Sequence, residues 1–142
     1  MISSIENILK NGKLLGNVKG RSMYPMLRSG IDTIVIERYR GGLKKYDVPL
    51  YKKNGKYVLH RVIRVLPDSY IMRGDNCFGE EYGILEREIL GVLTGFYRKN
   101  RYVSVDNRIY KCYVRTWCML YPLRKLIRIA KEFIKSRRWG EK

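Results

Sequence analysis

Apolar and polar positions follow two different rhythms along this chain. Up to about residue 105 the apolar residues come in short runs, many of them branched or aromatic, separated by Gly, Asn, Asp and Pro. That spacing predicts strands and turns. "KLLGNVKG" reads as a strand leading into a turn, and "IDTIVIERY" (31–39) as a second strand. "DVPLYKK" (47–53) and "KYVLHRVIRV" (56–65) flank Asn54-Gly55, a two-residue hairpin signal. Pro67-Asp68 turns the chain into "SYIMRGDN". "EREILGVLTGFYRKN" (86–100) ends in a strand, onto which "RYVSV" could pair back. In front of all this, Ser3 with Glu6 fits a capping box for a short helix carrying Ile5, Ile8 and Leu9, ended by Asn11-Gly12.

From Leu123 the rhythm changes to that of a helix. Leu123, Leu126, Ile127, Ala130, Phe133 and Ile134 share one face, and Lys and Arg fill most of the rest up to Trp139. The expected fold class is therefore mainly β (α+β), with a short N-terminal helix and a basic amphipathic C-terminal helix. The expected organisation is a lead-in over 1–17, a β domain over 18–105 and a basic tail over 106–142.

Composition sharpens this picture in two places. The formal net charge is +17 over 142 residues, and residues 98–142 hold 14 Lys/Arg against 3 Asp/Glu. Such a segment seeks anionic surfaces, phospholipid or nucleic acid. Two readings stay open for the helix: docking on an anionic membrane surface, or a solvated cap on the domain. No stretch reaches the roughly 18 apolar residues that span a bilayer, and the N-terminus reads as neither signal peptide nor anchor. The three cysteines, Cys77, Cys112 and Cys118, form no C-x-x-C pair, which argues against a disulfide framework and against zinc. The expectation is a cytoplasmic protein, peripheral on the membrane if the helix docks, with no cofactor and no metal.

The candidate chemistry lies in "GRSMYPMLRSG" (20–30). No strand or helix pattern calls for a serine held between glycine and proline. Serine becomes a useful nucleophile only with a base in reach and donors for the developing oxyanion. The chain has one histidine, His60, in "YVLHRVIRV", and a Gly-Asp pair in "RGDN" (73–76). Singly, each of these also suits a bland role: a half-buried imidazole, or a turn.

In order, "SMYPML", "YDV", "HRVI", "GDN" and "EREILGVLTG" resemble the signal peptidase I and LexA-like serine peptidase superfamily, over roughly residues 18–97. The resemblance implies that family's coiled antiparallel β-sheets and a serine endopeptidase that cuts a leader or signal-like peptide from a precursor. It implies Ser22 as nucleophile and His60 as base, in the manner of the archaeal and endoplasmic-reticulum enzymes. It also implies Asp75 as the carboxylate that orients the imidazole. Glu81 stands where such enzymes carry a second acid. The backbone N–H of Ser22 is the expected oxyanion donor, because Gly20 occupies the place where many bacterial relatives have a serine. With about 21 residues before Ser22 and no long apolar stretch among them, the expectation is neither the family's membrane anchor nor a repressor's DNA-binding domain. The contrasting reading is a non-catalytic basic β domain that binds nucleic acid, which the charge and the 12 tyrosines allow. It leaves the ordered boxes unexplained, so nucleic acid is the less expected partner and a precursor peptide the expected one.

Overall fold

The computed structural model describes residues 2–140. It is a mixed α+β fold with curled antiparallel sheets and two C-terminal helices in succession. Helix α1 (Ile2–Lys10) precedes strands β1 (Lys13–Asn17), β2 (Asp32–Arg38), β3 (Pro49–Lys53) and β4 (Lys56–Leu59). Strands β5 (Arg61–Val65), β6 (Tyr70–Arg73), β7 (Glu81–Ile84), β8 (Ile89–Arg98) and β9 (Arg101–Ser104) follow, then helices α2 (Arg108–Met119) and α3 (Tyr121–Gly140). Helix accounts for 30% of the chain and strand for 36%, so "mainly β" understates the helical share. The Ser3 side chain lies outside the described residues, and with it the capping box.

The large sheet runs β1-β2-β8-β3-β4, with β9 folded back on the far end of β8; a second sheet runs β5-β6-β7. The hairpin at Asn54-Gly55 forms as its sequence demands. Both residues take positive φ (51° and 76°), the geometry of a type I′ turn. The run 56–65, expected as one strand, is two. β4 pairs with β3 in the large sheet and β5 pairs with β6 in the small one, and His60 is the corner between them. A uniform run of strand-forming residues carries no mark of where a chain changes sheets. That choice is made by which partner strand is available on each side.

The main core joins Leu27, Ile36, Val48, Leu93 and Phe96 with Leu9 of α1 and with Tyr110 and Val114 of α2. A second cluster, around Tyr51, Val62, Met72 and Ile84, fills the junction of the two sheets. The segment 106–142 is thus not a uniform tail. Asn107 caps α2 by accepting from the N–H groups of Ile109 and Tyr110, and one face of α2 packs into the core. Burying an aliphatic or aromatic side chain stabilises by roughly 1.5–3 kcal/mol, so α2 belongs to the body energetically. No residue of α3, by contrast, is buried.

Candidate active site

Ser22 sits in the turn between β1 and β2, half-buried, with Met23, Met26 and Leu27 anchoring that turn in the core. Gly20 has φ 78°, a conformation glycine adopts at little cost, and the Tyr24–Pro25 peptide is cis. Ser22 and His60 line one cleft of about 750 Å³, together with Glu81. Its walls are mostly apolar, including Leu14, Ile34, Ile36, Leu50 and Val58. β1 and β4, the two end strands of the large sheet, both contribute to it. The sheet curls until its edges flank the same cleft.

The imidazole at the corner has one close acidic partner. His60 Nδ1 lies 2.6 Å from Glu81 Oε1, and Lys53 Nζ donates to Glu81 Oε2 at 2.9 Å. Tyr51 Oη is 3.3 Å from the same Nδ1. Burial pushes the Glu81 carboxyl up, but the hydrogen bond from Lys53 and the charge and hydrogen bond of His60 outweigh it, and the net shift is downward. Glu81 is therefore a carboxylate at neutral pH. The Tyr51 phenol is pushed up by burial and then by Glu81, so it keeps its proton.

Asp75 is not on the imidazole. Its two oxygens accept from Arg61 Nε and Nη2, each at 2.7 Å, in a buried two-pronged pair. Arg61 also donates to the Tyr46 carbonyl and to Tyr110 Oη. Burial alone would lower the guanidinium, but Asp75 more than reverses this, and Arg61 stays charged. The expectation that Asp75 orients His60 is corrected by this geometry. His60 and Arg61 are adjacent, and the chain sends them to separate acids, Glu81 and Asp75. Glu80, next to Glu81, instead accepts from Arg73 and Tyr82.

The "GDN" box has a different task from the one the resemblance implied. A methyl on Gly74 would come 2.6 Å from the Ser22 carbonyl oxygen, 2.7 Å from Cys77 Sγ and 3.2 Å from His60 Cδ2. No side chain fits there, so the loop after β6 can press against the Ser22 turn and the imidazole at once. Asn76 N–H then donates to the Ser22 carbonyl at 2.8 Å. With Asp75 gripping Arg61, residues 74–76 tie the serine turn to the histidine corner.

The C-terminal helices hold this loop from behind. Trp117 Nε1 and Arg124 Nη1 donate to the Asp75 carbonyl at 2.9 and 3.3 Å, and Tyr121 Oη donates to the Phe78 carbonyl at 2.8 Å. The Arg124 guanidinium stacks 3.9 Å from the Trp117 ring and that of Arg73 3.5 Å from the Tyr121 ring. The sequence reading missed these residues. Their one visible signal was aromatic residues spaced by four, Tyr113, Trp117 and Tyr121, just before the basic helix. Compared with protein-family models, curated proteins and solved structures, the chain shows no match.

Proposed function

We propose that this protein is a serine endopeptidase of Ser-His type that cleaves a leader or signal-like peptide from a precursor. The observation that carries the reading is the 2.6 Å contact between His60 Nδ1 and the Glu81 carboxylate in a cleft that Ser22 also lines. With Nδ1–H donating to Glu81, Nε2 is the free basic nitrogen. It takes the Ser22 proton as Oγ attacks the scissile carbonyl, and returns it to the leaving amine. Glu81 holds the tautomer and stabilises the imidazolium that forms in between. The Ser22 N–H serves the oxyanion. An extended peptide suits the cleft because β1 and β4 bring sheet edges to it, and an added strand satisfies its own backbone groups there. The apolar walls favour aliphatic side chains on alternate substrate positions.

The test is incubation of the chain with a mixture of peptides carrying apolar leader-like segments, with mass spectrometry of the products. A serine-directed fluorophosphonate, followed by mapping of the adduct, reports on the nucleophile independently. Cleavage and labelling at Ser22, both lost in Ser22→Ala and His60→Ala, support the reading. Cleavage that persists in Ser22→Ala overturns it.

A further inference from the structure

The apolar rhythm of α3 does not begin at Leu123. Ile109, Tyr113, Thr116, Leu120, Leu123, Ile127, Ala130 and Ile134 succeed one another at steps of four and three, across both C-terminal helices. Two helical bonds cross the junction, Leu120 N–H on the Thr116 carbonyl and Arg124 N–H on the Leu120 carbonyl, although Pro122 has no N–H to donate. At 3.6 residues per turn these positions form one stripe. Almost all of it is open to solvent: Ile109 is 81% exposed, Leu123 54%, Ile127 47% and Ile134 55%.

The side facing the body is a different one. Trp117, Tyr121 and Arg124 reach the 74–80 loop, and Tyr110 and Val114 enter the core. On a helix these residues lie roughly 110° round from the stripe, on the flank where Tyr113 stacks on Trp117. The helices therefore cap the body with one face and turn the apolar face outward. Residues 108–140 carry ten Lys/Arg and one acid, Glu132. A second copy of the chain would bring the same positive charge and be repelled. A nucleic acid would match the charge and leave a row of aliphatic side chains in water. An anionic lipid surface matches both, since headgroups take the cations and the acyl boundary takes the stripe.

We propose that α2 and α3 together form a peripheral docking surface for an anionic lipid bilayer. The helices lie in the plane of the interface with the 109–134 stripe inserted. No helix among the described residues is long and apolar enough to cross a membrane, so the contact is with one surface. The proposal is independent of peptidase activity.

The experiment is sedimentation of the full chain with vesicles of phosphatidylcholine, with and without anionic phosphatidylglycerol. Binding to the anionic vesicles is expected at low salt, at least about tenfold tighter than to neutral ones. It should weaken at high salt without vanishing. The triple variant Leu123→Asn/Ile127→Asn/Ile134→Asn, all at exposed positions, should bind on the order of a hundredfold more weakly. A tryptophan placed in the stripe, Ile127→Trp, should add emission that shifts to the blue on binding, with the unaltered chain as background, whatever the triple variant does to the helix. No binding to anionic vesicles overturns the proposal. So does equal binding by the triple variant, which marks a purely electrostatic contact of the kind nucleic acid would share. Unshifted emission from the Ile127→Trp variant overturns it as well.

Discussion

Two acid–base contacts one residue apart in the chain, one an ion pair and one a histidine–carboxylate hydrogen bond, behave as opposites. Arg61 and Asp75 are sealed, with side chains 1% and 3% exposed. His60 and Glu81, at 14% and 23%, open on the cleft. The sealed pair has every partner it needs: two bonds between guanidinium and carboxylate, a backbone carbonyl and a tyrosine hydroxyl. Leaving either charge alone in that site would be costly, so the pair acts as a rivet between β5 and the loop after β6. The open pair keeps one imidazole nitrogen uncommitted to its acid, which is what proton transfer needs. Two carboxylates serve one short stretch of strand, and burial separates their tasks.

The comparison breaks most visibly through activity. Glu81→Gln leaves the rivet intact and removes the charge that orients the imidazole. Peptide cleavage should fall about 10³–10⁴-fold, by analogy with the loss of an orienting acid in a triad, while the melting temperature barely moves. If Glu81→Gln cleaves normally, the open pair is not catalytic. Asp75→Asn should do the reverse of what the family resemblance implies. It leaves Arg61 without its counter-charge in a buried site and should cost about 3–5 kcal/mol in denaturant unfolding. Residual activity per folded molecule should survive far better than in Glu81→Gln.

Gly74→Ala sharpens the comparison, because this residue touches both halves. The added methyl must displace the Ser22 carbonyl or the imidazole edge. A stability loss of about 1–3 kcal/mol is expected from the overpacking, with a disproportionate fall in kcat. The smallest effect concerns acid. The Glu81 carboxyl is held below its ordinary value of 4.5, so its contribution to stability is present above that value and lost as pH falls through the lowered one. The stability difference between the unaltered chain and Glu81→Gln should therefore shrink as pH is taken below 4.5. Lys53, which together with His60 outweighs the burial of Glu81, is itself half-exposed. Lys53→Met should move stability by no more than about 1 kcal/mol.

The sequence by itself determined the parts of this protein that depend on near neighbours. The Asn54-Gly55 hairpin, strand β2, the return of β9 onto β8 and the periodic face of α3 follow from turn chemistry and residue spacing, and all stand in the structure. The ordered boxes point to Ser22, His60 and Asp75, with Glu81 as a possible second acid, and the cleft is lined by Ser22, His60 and Glu81 and not by Asp75. What only the tertiary structure decided was which groups face one another. The chain turns from one sheet to the other at His60, so His60 and Arg61 meet different acids. Nothing local distinguishes Asp75 from Glu81 as the partner of an imidazole: both are carboxylates near the ends of strands. Helix α2 was missed for a related reason. Its apolar residues serve two faces, Tyr110 and Val114 toward the core and Ile109 and Met119 toward solvent, so the buried face alone does not stand out. Periodicity reveals an element with one buried side. It does not report which charge lies across a fold, because that distance is set by the packing of strands far apart in the chain.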